Sequence, residues 1–285
     1  MNFSARIASI AAFSLLTATS VEAVPAGTLY EAFPTQLFSL DLGALTETGV
    51  ISARATHLVA AGDHVFWQDD IRIWRANKDL SGVTNIWTNL RAPADISVDP
   101  TGTYLFEAFP TQLFTLDLRT LTETAETSAH ATHLTAAGGY IFWQDDIRVW
   151  RAKSDLTEIT NVWTNLRAPS DSTVEPTGRY LYEAVATQLF TLDLDTLSEI
   201  AVTSAHAGNL TATADHIYWQ DDIRIWRARN DLTDITNIWT NLRAPTSIAV
   251  GVPPTTTAVP ETPTLLLLAV GLLACGLLRR GSEGI

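Results

Sequence analysis

The chain has 285 residues, 46% of them hydrophobic, with nine Trp, one Cys and a formal net charge of −13. That length buries a sizeable core in one or two domains. The acid excess argues against nucleic acid and anionic membrane surfaces as partners, and suits an exposed, soluble protein.

Residues 1–23 have the order of a secretory signal. Arg6 is the one charge of the leading region, Ile7 to Ala18 is mostly apolar, and Val21-Glu22-Ala23 puts small residues where signal peptidase reads. Cleavage is expected after Ala23. The apolar stretch is short for a membrane span.

Residues 24–250 are dominated by a repeat. FWQDDIRIWRA from Phe66 returns as FWQDDIRVWRA from Phe142 and YWQDDIRIWRA from Tyr218, 76 residues apart each time. A long repeat at fixed period means a modular array. Each 76-residue unit divides into two similar halves of 35 and 41 residues, with Leu156-Thr157-Glu158-Ile159 and Leu197-Ser198-Glu199-Ile200 at equivalent points. Strands are read from alternation in Leu113–Leu118 and Ile147–Arg151. Turn chemistry at Gly138-Gly139, Asp145-Asp146 and Pro176-Thr177-Gly178 separates them.

No clean helical stripe interrupts this pattern, and four strands per half is the size of a β-propeller blade. The fold class expected is therefore all-β, a six-bladed propeller built from three double-blade units. The array opens at Thr28-Leu29-Tyr30, equivalent to the second strand of a blade. The missing first strand is expected from the far end, Ser247-Ile248-Ala249-Val250. Sharing one blade between both ends closes the ring and leaves no long sheet edge.

Phe142-Trp143-Gln144-Asp145-Asp146-Ile147-Arg148, followed by Arg151-Ala152, resembles the Tyr-Trp-Thr-Asp propeller repeats. Gln replaces Thr, and Ser154-Asp155-Leu156 replaces the usual Asn-Leu-Asp-Gly turn. The match covers three of six blades. The resemblance implies a propeller used for binding, with no catalytic residues to carry over.

In a propeller, the loops joining second to third strands share a face with the loops between blades. That logic gathers Gln68-Asp69-Asp70, Gln144-Asp145-Asp146 and Gln220-Asp221-Asp222 with Glu31, Glu107 and Glu183. Arg91, Arg167 and Arg243 join them from the Trp-Thr-Asn-Leu-Arg loops. Carboxylates, amides and aromatic faces are the chemistry of sugar binding. A plainer role competes for each residue: Asp pairs serve as turn residues, and repeated Trp fill interblade core. The Asp pairs offer calcium oxygen ligands but not the spaced loop of a dedicated site, so no cofactor is expected. Histidines break register: His57 and His133 become Asn209, and His64 and His216 become Tyr140. A ring of histidine metal ligands is therefore unsupported. Threefold near-equivalence argues against a unique catalytic pair.

Residues 251–259 form a Pro/Thr linker, unable to build a packed core. Residues 260–285 follow, with an apolar run from Leu265 to Leu278 and then Arg279-Arg280. Cys275 lies in that run, so the mature ectodomain has no disulfide. Val259-Pro260-Glu261, a short membrane helix over 265–278 and the Arg pair resemble the PEP-CTERM sorting signal of Gram-negative bacteria. The second Pro is displaced to Pro263, and the chain runs on past the Arg pair as GSEGI. The resemblance implies processing by an exosortase after export, and delivery to the cell surface or an exopolysaccharide matrix. The reading that results is a secreted, surface-sorted, non-enzymatic binding or matrix protein for extracellular polysaccharide or a surface protein. The alternative is a glycan-active lyase or hydrolase on the same scaffold.

Overall fold

The computed structural model describes residues 27–164, 167–241 and 243–251. The expected signal segment and nearly all of the linker and sorting tail lie outside the described residues; Gly251 of the linker ends the last strand. Among the described residues every regular element is a strand, and the strands form six four-stranded antiparallel sheets. Five sheets are continuous in sequence: blade 2 (56–88), blade 3 (95–128), blade 4 (132–164), blade 5 (171–204) and blade 6 (208–240). Blade 1 takes its three outer strands from 28–52 and its innermost strand from Ser247–Gly251.

The closure is a full antiparallel ladder. Leu29 lies opposite Val250, Tyr30 opposite Ala249, and Glu31 opposite Ile248. The last strand thus occupies the place in blade 1 that Asp95–Val98 occupies in blade 3. No inner strand is left with an open edge at the seam, which is how a ring avoids unpaired backbone groups.

Six apolar clusters hold the blades together, one at each interface. Between blades 1 and 2, Tyr30, Ala32 and Leu37 meet Val65, Trp67 and Ala76. Between blades 2 and 3, Phe66 and Ile73 meet Ile96, Leu105 and Leu116. The two interface types alternate around the ring, because the odd and even blades are different halves of the 76-residue unit. The Trp of each FWQDD or YWQDD string is buried: Trp67 at 2%, Trp143 at 3% and Trp219 at 2% exposure. Each stacks on a half-buried cross-strand Trp, with ring centroids 6.4, 6.5 and 6.4 Å apart. Six of the nine Trp are therefore packing pairs, as the plainer reading of the repeats allows.

The even blades carry a bulge in their innermost strands, at 56–59, 132–135 and 208–211. The bulged residues His57, His133 and Asn209 have φ of 48°, 49° and 49°. A left-handed residue inside a strand bends it and re-aims its side chain. All three sit where their strands begin, at the mouth of the central channel.

Two outcomes test this account. A chain ending at Thr246 is expected to lose cooperative thermal unfolding in calorimetry, whereas one ending at Gly251 keeps a single sharp transition. Trp67→Ala is expected to cost about 3–5 kcal/mol in denaturant unfolding, as large-to-small core substitutions do.

Candidate functional site

The sequence-derived candidates fall on one end of the ring, hereafter the upper face. It carries the turns between second and third strands and the loops between blades. The structure brings these residues together as four sets.

The first set is a corner at the outer turn of each even blade. Arg72, Arg148 and Arg224 donate to Asp69, Asp145 and Asp221 at 2.6, 2.8 and 2.7 Å. Each guanidinium also lies over Trp74, Trp150 or Trp226, 5.0–5.2 Å from the ring centroid. Half-exposed pairs of this kind are worth under about 1 kcal/mol each. Their effect is to hold a cation on an aromatic face at three equivalent places. Asp70, Asp146 and Asp222 occupy the left-handed turn positions, with φ of 48°, 40° and 50°, which Asp tolerates better than most residues. Asp70 also receives Arg54 at 3.3 Å.

The second set is a clamp made by the glutamines. Gln68 donates to the carbonyls of Asp70 and Pro93, at 2.9 and 3.0 Å. Gln144 does the same with Asp146 and Pro169, at 3.0 and 3.3 Å. Gln220 donates to Asp222 and accepts from Asn209 Nδ2 at 2.8 Å. These side chains tie a turn to an interblade loop.

The third set belongs to the odd blades. Glu31, Glu107 and Glu183 are 2%, 1% and 3% exposed. Asn241 donates to Glu31 at 2.6 Å and Asn89 to Glu107 at 2.5 Å. The indoles of Trp239 and Trp87 donate to those same asparagines, at 2.9 and 3.0 Å. Burial pushes the Glu31 and Glu107 carboxyls up to about 7, against the lowering effect of the asparagine bond. The arginines of the same loops spread outward. Arg91 donates to Gln112 at 2.6 Å and covers Phe109, and Arg243 donates to Gln36 at 3.4 Å and covers Phe33. Arg167 donates to Glu199 at 2.9 Å and covers Phe190.

The fourth set escaped the sequence reading. Six first-turn residues of the innermost strands ring the channel mouth in the order His57, Asp95, His133, Asp171, Asn209, Ser247, above a bore of about 940 Å³. Three of them staple neighbouring blades. The Leu134 amide donates to Asp95 Oδ2 at 2.7 Å, Leu210 to Asp171 Oδ2 at 2.7 Å, and Leu58 to Ser247 Oγ at 3.1 Å. His133 Nδ1 lies 3.3 Å from Asp171 Oδ1. Burial alone would lower the His133 pKa, but the Asp171 hydrogen bond and the charges of Asp171 and Asp95 outweigh it and raise the value. Burial raises Asp95, against the opposing pull of His57, the Leu134 amide and His133. A sequence signal existed. His57 with Asp95, and His133 with Asp171, stand 38 residues apart, and both members change together in the third copy, to Asn209 and Ser247. Among the described residues no group of three or more His, Cys, Asp or Glu is placed to hold a metal ion.

No family model matches the chain, and no curated protein does. Among solved structures, 1385 chains are similar, a breadth that by itself assigns no activity. One of them belongs to the crystal structure of a nidogen/laminin complex. It is 14% identical with a TM-score of 0.62, over 79% of this chain and 98% of that one. At that identity the likeness concerns the fold alone, an independent match to the propeller.

The buried glutamates set a pH dependence. In the unfolded chain they lose their protons near the ordinary value of 4.5; in the folded ring they hold them to about 7. The folded state therefore binds more protons between those values, and the contribution of Glu31 and Glu107 to stability falls as pH rises through that window. Thermal unfolding of a Glu31→Gln/Glu107→Gln variant is expected to show a flatter pH dependence between pH 5 and 8. At pH 8 it should melt at a higher temperature than the parent, its folded state being more stable by up to about 3 kcal/mol per site at 1.36 kcal/mol per pKa unit. Parallel profiles for parent and variant would contradict this.

Proposed function

We propose that the chain is an exported, surface-sorted protein that binds rather than catalyses. Its upper face would engage extracellular polysaccharide or a surface protein partner. The observation that carries this reading is the threefold repetition of the Asp–Arg–Trp corner on one face of a closed ring. A polymer of repeating units meets three similar sites in fixed geometry, and linked weak contacts add up to avidity without any single strong one. Half-buried Trp edges, guanidinium donors and turn carboxylates match hydroxyl-rich ligands.

Export and sorting rest on sequence alone: cleavage after Ala23 by signal peptidase, then an exosortase-type enzyme acting near Val259-Pro260-Glu261, with Arg279-Arg280 as the stop. The glycan-active alternative draws on Glu31 and Glu107, whose carboxyls titrate near neutrality as a general acid requires. Their burial and their asparagine partners weigh against reach to a substrate.

Calorimetric titration of the purified full chain with extracellular polysaccharide from its own source tests the binding reading. Saturable binding is expected, weakening stepwise as Asp69→Asn, Asp145→Asn and Asp221→Asn are combined. Loss of all binding with one substitution would point instead to a single active centre. Absence of binding would overturn the polysaccharide partner.

A further inference from the structure

At and beside the channel mouth lie buried polar atoms that have no hydrogen-bond partner among the described residues. Gln68 Oε1, on a side chain 4% exposed, has no partner, and neither does His57 Nδ1. The two belong together. Thr56, the neighbour of His57, pairs with Gln68 across the blade and donates to its carbonyl at 3.2 Å. Asp95 completes the group. Gln68 Nε2 reaches Pro93, two residues before Asp95, at 3.0 Å, and Asp95 follows His57 in the ring of residues that lines the bore. Asp95 accepts main-chain amides, from Ile96 at 2.8 Å and Leu134 at 2.7 Å. Each of its oxygens keeps a further lone pair, since a carboxylate has about four acceptor positions.

The other copies show what the first one lacks. In the third, Asn209 Nδ2 donates to Gln220 Oε1 at 2.8 Å, so the equivalent acceptor is filled, and neutral Ser247 stands where the first two copies have an Asp. In the second, Gln144 Oε1 is without a partner as Gln68 Oε1 is, but His133 Nδ1 turns to Asp171 at 3.3 Å, so that carboxylate has an imidazole partner. In the first, Asp95 has neither an imidazole bond nor an ion pair among the described residues. Orphaned buried acceptors of this kind call for a donor. The missing group carries several N–H donors, no acceptor and a positive charge, which describes a primary ammonium.

We propose that His57, Gln68 and Asp95, at the mouth of the central channel, bind a primary ammonium group. The ligand is a free small amine or the amino group of a deacetylated amino sugar. The proposal stands apart from the corner sites and from the polysaccharide reading. The bore of about 940 Å³ beneath the mouth leaves room for the rest of such a ligand. His57 is half-buried and lines the bore together with Asp95.

The test is calorimetric titration of the purified full chain at pH 8 with three probes. These are putrescine, a β-1,4-linked glucosamine tetramer and its fully N-acetylated counterpart. Saturable binding of an amine, and none of the acetylated tetramer, is expected. Binding of putrescine marks a free-amine site; binding of the glucosamine tetramer alone marks an amino-sugar site. His57→Asn copies the third unit, where Asn at φ 49° donates to the glutamine. It should fill the acceptor and weaken amine binding at least tenfold. Asp95→Ser copies the third unit's other member and should do the same. Both place residues the fold already accepts at equivalent positions, and melting temperatures check that the ring persists. No binding of either amine would overturn the proposal. So would an affinity unchanged in both variants, or equal binding of the acetylated tetramer.

Discussion

Everything in this molecule depends on the ladder between Ser247–Gly251 and Thr28–Ala32. A propeller blade buries its apolar faces only against its two neighbours, so an open array of six would expose a face at each end. Pairing the last strand into the first blade brings blade 6 against blade 1. The interface formed by Leu29, Leu40, Tyr218, Ile225 and Ile248 is then as complete as the other five. With no Cys among residues 24–250, closure rests on hydrogen bonds and burial alone. The amide-to-side-chain staples of Asp95, Asp171 and Ser247 add a second ring of connections inside the first.

Polar residues on the upper face are consequently shared between support and display. A surface ion pair such as Arg72–Asp69 contributes little to stability in water. The same pair placed over Trp74 fixes the orientation of three groups at once. The buried glutamates work in the opposite sense: they weaken the ring at high pH and fix the interblade asparagines. Their near-neutral titration follows from desolvation, which is also why they are poorly placed to meet a ligand.

Much of the fold was legible in the sequence because repetition removes ambiguity. The 76-residue period, the two unequal halves and the displaced strand at Ser247 fix the number of blades and the closure before any contact is known. The face shared by the Gln-Asp-Asp turns and the Trp-Thr-Asn-Leu-Arg loops also follows from strand order. What the turn residues do with their side chains does not. Nothing in the pattern says that Gln68 turns inward to clamp Pro93, or that Arg72 covers Trp74. The channel mouth was hidden for a different reason. Departures of Asn209 and Ser247 from threefold regularity count as noise when each position is inspected alone. They become a signal only when ring order makes residues 38 apart into neighbours.

One detail of the closure bears on how the molecule is presented. The last strand runs from Ser247 at the channel mouth to Gly251 at the opposite end. There Gly27 lies close beside it: a Cβ added at Gly27 would come within 3.1 Å of the Gly251 carbonyl oxygen. Both ends of the ring therefore leave from the lower face. Anything that tethers the chain through its C-terminus grips it from below, so the mouth and the three corners are turned outward, toward whatever approaches. The side from which a C-terminal tether would hold the ring is thus written into the direction of a single five-residue strand.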